Sequence, residues 1–457
     1  MSAADGARVA ARGHWGSRLG FVLASAGSAV GLGNIWRFPY LTGENGGGAF
    51  LLVYLALLFT VAISVLLAEF VVGRAARRNA VGAYRALGGR FWPVFGFLGI
   101  AAGFVILSFY SVIGGWTIAY LQQALVAGFP SSDPAAVGAT FEARIGHPLT
   151  PLLYHGLFMA LTIGIALGGV RGGIERWSRL LMPVLFVLVI VLAVRSLTLP
   201  GAGEGIAFFL APDFGDVTGA TVLAAFSQAL FSLSVGMGAM VTYGSYLARE
   251  VKLPGATAWV ASLDALIACL AGLIILPAVF AFGFDPSSGP GLTYVTLPAV
   301  FAEMPAGDLF GALFFLLLLI AAVTSAVSLV EPFIAFVVEE VGWRRLTAGL
   351  AMGALVFALG IPSAWSFGLL ADLTLAGRTF FGWMDFLTTK LALPLGALAI
   401  TLLVGWVARG HALAEVTRDG AHRFPLARLW LWTCGLVAPL AIVWILLAGL
   451  GLLPGAG

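Results

Sequence analysis

Long apolar runs, separated by short polar segments, make up most of this chain. A helix needs about 20 apolar residues to cross the hydrocarbon core of a membrane, where backbone groups find no water. The pattern therefore predicts an all-α polytopic membrane protein. Eleven spanning helices are predicted, at 15–40, 49–74, 91–128, 152–169, 177–195, 218–247, 256–284, 308–340, 344–361, 383–409 and 428–452.

The basic residues predict the orientation of the chain. Nineteen of the 24 lysines and arginines precede the first helix or follow an even-numbered one. Because positive residues are enriched in cytoplasmic loops, that side is predicted to be the cytoplasm. The amino terminus is then cytoplasmic, and the eleventh helix leaves the carboxyl terminus outside.

A short glycine motif recurs in the middle of the first and sixth predicted helices. It reads AVGLG at 29–33 and SVGMG at 234–238, and the odd number of helices between the copies reverses their orientation. Matching depth in opposite orientation is typical of inverted-repeat transporters. We expect one transmembrane domain over 1–457, with inverted repeats at about 15–195 and 218–409 and an extra helix at 428–452.

Glycines at this depth predict two broken helices. Unwinding at Gly31 and Gly33, and at Gly236 and Gly238, would free carbonyls for a cation and leave amides suited to a carboxylate. The simpler alternative is that the glycines only allow close helix packing. The repeat, and Asn34 beside the first copy, favour a binding site.

Composition agrees with a membrane protein and narrows the chemistry. The chain is 60% hydrophobic and 10% charged, and its mean hydropathy is +1.02. The net charge of +3 does not indicate a nucleic-acid partner, because the arginines lie in short loops. Cys269 and Cys434 lie in apolar segments, so no disulfide is expected. No histidine falls deep in a predicted helix, which argues against a transition-metal site.

Carboxylates inside predicted helices are functional candidates, because burying a charge in a membrane is costly. Asp264 is the clearest, since it stands well inside the seventh predicted helix; Glu69 lies in the second. Arg37 and Asp385 lie near the outer ends of the first and tenth.

The segment WGSRLGFVLASAGSAVGLGNIWRFPYLTGENGGGAF resembles the first-helix signature of the neurotransmitter:sodium symporter family. The resemblance runs from Arg12 to about Asp385 and includes SLSVGMGAMVTYGSY in helix 6 and AAVTSAVSLVEPFIAF in helix 8. The eleven spans are similar to the bacterial branch that moves hydrophobic and aromatic amino acids. The resemblance implies a 5+5 inverted-repeat fold and sodium-coupled amino-acid uptake by alternating access. It also implies the bacterial cytoplasmic (inner) membrane, a monomer or homodimer within the bilayer, and no enzymatic activity.

The resemblance further implies two sodium ions. The first site would use Ala29, Asn34, Ser232, Asp264 and the substrate carboxylate, and the second Gly27, Val30, Ala321, Thr324 and Ser325. Serine and threonine inside a helix more often bond back to helix carbonyls. The motif around Thr324 and Ser325 favours ligands instead.

A substrate pocket and two gates are implied in the same way. The pocket would be formed by Ser28, Ala29, Leu32, Gly33, Ile106, Tyr110, Phe231, Ser232, Ser234, Met237, Ser325 and Leu329. Arg37, Asp385 and Gln228 would close it on the outside, and Arg12, Glu339, Trp15 and Tyr246 on the inside. Gly173 and Pro183 would let the start of helix 5 unwind and admit water. No wall position carries a charge, which favours an apolar substrate side chain.

Two departures from the family pattern affect the expected chloride dependence of transport. Asp264 stands where many relatives have asparagine, and Ala268 where chloride-dependent members have serine. A fixed carboxylate would offset the charge of the sodium ions. We therefore predict transport that needs no chloride.

Three alternatives remain open. An ion channel would be expected to repeat its filter residues around a ring, and an intramembrane enzyme needs a nucleophile with a base or a metal triad; neither pattern is visible. Within the transporter class, the alternative substrate is another small amine or osmolyte. A quaternary ammonium favours an aromatic cage, and this pocket offers only Tyr110 and Phe231.

Overall fold

The computed structural model describes residues 13–452, and helices account for most of this part of the chain. No β-strand occurs among these residues; two isolated bridges are the only extended pairings they form. The spanning helices are α1a (Arg18–Ala29), α1b (Gly33–Glu44), α2 (Gly48–Ala76), α3 (Pro93–Val126), α4 (Thr150–Leu167), α5 (Gly169–Leu197), α6a (Gly219–Ser232), α6b (Ala239–Ser245), α7 (Leu253–Ala281), α8 (Gly307–Val341), α9 (Arg345–Trp365), α10 (Phe380–Val407) and α11 (Ala427–Gly449).

The first and sixth helices are broken, as the glycine repeat predicts. The axes of α1a and α1b differ by 47° across the break. The two halves of the sixth helix are separated by residues 233–238, and each half is too short to cross a membrane alone. The other nine helices within the described residues are long and apolar enough to span. The all-α fold with two broken helices is thus confirmed.

Helix boundaries agree with the apolar runs to within a few residues except at α5. This helix begins at Gly169 rather than at residue 177, because the glycine-rich and charged segment Gly169–Glu175 continues it. Its backbone packs tightly against the end of α4: a Cβ on Gly173 would lie 2.1 Å from the carbonyl oxygen of Ile165. Tertiary packing therefore winds a segment whose composition is typical of a loop.

Two helices form the centre of the bundle. Within its most apolar stretch, α8 is 83% buried inside the protein, whereas α9 is 33% buried there and lies at the periphery. The helix α3 packs along α8, and α1a contacts α5, α7 and α8. Shorter helices connect the spans, at Ala80–Gly88, Pro134–Gly146, Ala202–Leu210, Leu292–Glu303 and Arg409–Thr417. Both breaks therefore lie beside the central helices.

Candidate functional site

The backbone amides at the break in the first helix donate to side chains instead of to helix carbonyls. The amide of Leu32 donates to the hydroxyl oxygen of Tyr110 on α3 (3.2 Å), and the amide of Gly31 donates to Asn34 Oδ1 (3.3 Å). The carbonyls of Gly27, Ala29 and Val30 accept no hydrogen bond from any described residue. These oxygens are the free helix-end acceptors that a cation can coordinate.

Glycine is required at this break for close packing. A Cβ on Gly31 would lie 2.9 Å from the Cβ of Ser325 and 3.0 Å from the hydroxyl of Tyr110. A Cβ on Gly33 would lie 3.0 Å from the ring of Phe231. The first break therefore packs closely against both α8 and α6a.

The break in the sixth helix adopts left-handed backbone conformations. Gly236 and Gly238 have φ of 87° and 72°, and Ser234 has φ of 53°, which is uncommon for a residue with a side chain. The Ser234 hydroxyl donates to the carbonyl of Ser28 (2.9 Å), so it ties the second break to the first. The amide of Gly236 donates to the Glu69 carboxylate on α2 (2.6 Å).

A buried polar cluster lies where the two breaks meet. Asn34 Nδ2 donates to Asp264 Oδ1 (2.8 Å), and the Ser232 hydroxyl lies 2.8 and 2.7 Å from the two oxygens of Asp264. The Tyr54 hydroxyl on α2 donates to Asp264 Oδ2 (3.3 Å). All four side chains are at most 1% exposed. These side chains offer several oxygen atoms as metal ligands and one formal charge, that of Asp264, and such a ligand set suits a monovalent cation.

The residues predicted for a second ion lie between α1a and α8. A Cβ on Gly27 would lie 3.3 Å from the Thr324 side chain, so the two helices are in contact at this point. The Thr324 hydroxyl donates to the carbonyls of Ile320 (3.0 Å) and Ala321 (3.1 Å), which is the ordinary helix-interior arrangement. Its oxygen keeps a lone pair for a further partner. The role of these residues as ligands stays a prediction.

A small cavity lies beside the polar cluster. Its volume is about 20 Å³, which is room for about one water, so an amino acid would fit only after neighbouring side chains move. None of its lining residues carries a charge. It is lined by Ala29, Gly31, Gly33, Ile106, Tyr110, Phe231, Ser234, Met237, Ser325 and Leu329. Of the predicted pocket residues, Ser28, Leu32 and Ser232 do not line it.

The cavity is closed on the side of α1b. Arg37 donates to Gln228 Oε1 (2.8 Å) and its guanidinium lies 5.1 Å from the centre of the Phe231 ring. Gln228 in turn donates to the carbonyl of Gly33 (2.8 Å). Of the residues predicted to close the outside, Arg37 and Gln228 are in contact, but Arg37 and Asp385 form no ion pair in this conformation, because Gln228 and the ring of Phe231 hold the guanidinium. Their pairing stays a prediction.

The opposite side is closed as well. The indole of Trp15 donates to the carbonyl of Tyr243 (3.0 Å), and the backbone amide of Trp15 donates to the carbonyl of Tyr246 (3.3 Å). The Tyr246 hydroxyl donates to Glu331 (3.0 Å), which also forms an ion pair with Arg345 (2.5 Å). The segment before α1a is thus fixed to α6b, and through Tyr246 to α8 and α9.

Two further predicted features of the inner side are placed only in part. Arg12 lies outside the described residues; Glu339 accepts from the amide and the side chain of Asn79 (both 2.9 Å). Gly173 and Pro183 both lie inside the continuous helix α5, which is wound throughout in this conformation. The unwinding of α5 stays a prediction.

Several residues have contacts at the site that the sequence does not predict. Tyr54 joins the polar cluster, and Glu69, which the sequence marks only as an acid inside a predicted helix, accepts from the backbone amide of Gly236 in the second break. The hydroxyls of Ser28 and Ser328 lie 2.6 Å apart and connect α1a to α8. Glu175 accepts from the amide of Gly16 (2.6 Å). Because the partners of these residues lie far away in the sequence, no local pattern predicts the contacts. Only Glu69 is marked by the sequence, since a carboxylate inside an apolar run is a functional candidate.

Two broken helices, with a buried polar cluster at their meeting point inside a bundle of spanning helices, define a secondary transporter. The sequence profile of the sodium:neurotransmitter symporter family matches residues 12–136 and 144–453. The chain therefore belongs to the sodium:neurotransmitter symporter family. It is a multi-pass, sodium-dependent transporter of a small molecule and not an enzyme.

Similar proteins cover nearly the whole chain. An uncharacterized sodium-dependent transporter, YhdH, from Bacillus subtilis (strain 168) is 41% identical over 441 residues, covering 96% of this chain and 98% of its own length. An uncharacterized sodium-dependent transporter from Haemophilus influenzae is 35% identical over 448 residues, covering 95% and 98%. The crystal structure of MhsT in complex with L-phenylalanine superposes with a TM-score of 0.88 at 46% identity, covering 95% of this chain and 99% of that one.

Proposed function

We propose that this transporter is a chloride-independent symporter that takes up hydrophobic and aromatic L-amino acids with two sodium ions. The observation that carries the proposal is the cluster of Asn34, Ser232 and Asp264 between the two helix breaks, beside an uncharged cavity. A zwitterion placed there would bring its carboxylate to the cation and its apolar side chain to Ile106 and Met237. The complex of the similar MhsT with L-phenylalanine supports this substrate class.

The roles of the residues follow from their positions. The free carbonyl of Ala29 and the cluster would bind the first sodium. The carbonyls of Gly27, Val30 and Ala321 with the hydroxyls of Thr324 and Ser325 would bind the second. Because the first ion would contact both the substrate carboxylate and Asp264, neither sodium nor substrate would bind well alone, which couples the two. Tyr110 would donate its hydroxyl proton to the substrate carboxylate.

Alternating access would proceed from an occluded arrangement like this one. Arg37, Gln228 and Phe231 would separate on the outside, and the contacts of Trp15 on the inside. Gly173 and Pro183 would then let α5 unwind. We further propose the bacterial inner membrane, a cytoplasmic amino terminus, an external carboxyl terminus and two inverted halves with α11 as an addition. A monomer or a homodimer fits the single-chain site equally.

The test is uptake of radiolabelled leucine, phenylalanine and tryptophan into proteoliposomes that hold the purified protein. We expect uptake with an inward sodium gradient, none when potassium replaces sodium, and no loss when gluconate replaces chloride. Uptake without sodium would overturn the coupling. A large loss in gluconate would overturn the chloride independence while leaving the symport intact.

A further inference from the structure

A groove outside the transport site runs between α4 and α9. It encloses about 400 Å³ and opens to the side of the bundle. One face of each helix lines it, with apolar residues throughout. The lining residues are Gly156, Met159, Ala160, Ile163, Gly164, Leu167, Leu350, Gly353, Ala354 and Phe357.

Small residues keep this groove empty of the protein's own side chains. Ala160 and Gly164 are exposed, and a Cβ on Gly164 would meet no atom within 4 Å. A buried water needs two to four polar partners, which these walls do not offer. Because both helices span the membrane, the medium at the groove is lipid, and an acyl chain is the occupant that its shape and chemistry suit.

A basic residue lies beyond one end of the groove, at the start of α9. Arg344 and Trp343 precede α9, and along the helix axis Arg344 lies about 9 Å from Leu350 in the groove wall. The Arg344 side chain is exposed and makes no hydrogen bond or ion pair with a residue of the described part of the chain, whereas its backbone carbonyl accepts from the amide of Ala348 (2.9 Å) within α9. Trp343 is 44% exposed, as is usual for tryptophan at the lipid headgroups.

We propose that the groove binds an anionic phospholipid, with an acyl chain along Ala160 and Gly164 and its phosphate at Arg344. The charge selects the headgroup, since a basic residue at the membrane surface favours anionic over zwitterionic lipid. The groove selects the chain, because the bare glycine and alanine wall leaves room for methylene groups. This site is separate from the ion and substrate site and does not depend on the substrate proposed above.

Native mass spectrometry of the purified protein tests the proposal with phosphatidylglycerol and phosphatidylcholine of identical acyl chains. We expect retained adducts of phosphatidylglycerol, about fivefold more than of phosphatidylcholine for one arginine. Gly164→Leu fills the groove and should abolish both adducts. Arg344→Ala should abolish the preference and keep the remaining binding.

Matched controls separate this site from general lipid contact. Gly203→Leu places the same side chain at another exposed helix glycine with open surroundings, and Arg428→Ala removes an exposed arginine in the first turn of α11. Both should leave the adducts unchanged. Adducts that survive Gly164→Leu would overturn the proposal. So would a homodimer that Gly164→Leu dissociates, because the groove would then hold a second copy of the chain.

Discussion

Replacing Asp264 by asparagine tests the proposed link between a fixed carboxylate and chloride independence. The substitution keeps the size of the side chain and its capacity to pair with Asn34, Ser232 and Tyr54, but it removes the formal charge of the cluster. In the proposed site this charge faces the first sodium ion. Two sodium ions and a zwitterion would then lack a compensating anion in a buried space.

The size of the effect follows from the Coulomb energy of the lost pair. Two unit charges about 4 Å apart, at an effective dielectric constant of about 20, attract by about 4 kcal/mol. Since each 1.4 kcal/mol is a factor of about ten, Asp264→Asn should weaken sodium binding by up to about a thousandfold. A chloride ion entering the vacated position should restore part of this loss. Adding Ala268→Ser, which supplies a hydroxyl donor one helical turn away, should strengthen that restoration.

The assay is the sodium dependence of amino-acid uptake, measured in chloride and in gluconate. We expect wild-type protein to be indifferent to the anion, Asp264→Asn to fail in gluconate, and the double variant to recover most in chloride. Asp285→Asn, an acid in an exposed loop, is the matched control. Unchanged sodium dependence of Asp264→Asn in gluconate would refute the assignment of the carboxylate as the charge partner of sodium.

Three further substitutions, two of them compared with a control glycine, test the packing and the outer gate. Gly173→Ala places a Cβ 2.1 Å from a carbonyl at the end of α4 and should lower the thermal midpoint in detergent, whereas Gly172→Ala, with open space around it, should not. Gly236→Ala, with φ of 87° and a Cβ 2.4 Å from a carbonyl of α10, should abolish uptake; Gly283→Ala, with φ of 70° but no close neighbour, should retain it at a cost of about 1–2 kcal/mol in stability. Gln228→Ala removes two hydrogen bonds of the outer closure, one of them to a charged group, and should speed dissociation of bound amino acid about tenfold or more. Equal thermal midpoints for Gly173→Ala and Gly172→Ala, or equal uptake by Gly236→Ala and Gly283→Ala, would contradict the packing described. Unchanged dissociation from Gln228→Ala would contradict the outer closure.

The sequence predicted the positions of both helix breaks because glycine leaves a local signal. Gly236 and Gly238 take left-handed conformations that side chains rarely adopt, and a Cβ on Gly31 would collide with Ser325. Asp264 was equally visible, since a carboxylate deep in an apolar run is rare. Each of these features can be recognised from a single residue and its neighbours in the sequence, without knowing which helix packs against it.

Long-range partners left no such signal. Tyr54 reaches Asp264 across 210 positions of the chain, and an aromatic residue in a spanning helix is ordinary by composition. The start of α5 was misplaced for a related reason, because its glycines favour a loop locally and only packing against α4 and α1a winds them into a helix. The hydrogen bond from Arg37 to Gln228 could not be predicted either, because several polar residues lie within reach of Arg37 and only the closed structure brings Gln228 to it.

The most direct test of the central claim is sodium-dependent binding of radiolabelled phenylalanine to the purified protein, with Asn34→Ala compared to Asn45→Ala. Asn34 belongs to the cluster between the breaks, whereas the Asn45 side chain only donates to a carbonyl at the end of α1b (2.9 Å). We predict binding that requires sodium, a sodium half-saturation raised about tenfold to a hundredfold by Asn34→Ala, and no change with Asn45→Ala. Binding that ignores sodium, or Asn34→Ala behaving as wild type, would contradict the placement of ion coupling at the two helix breaks.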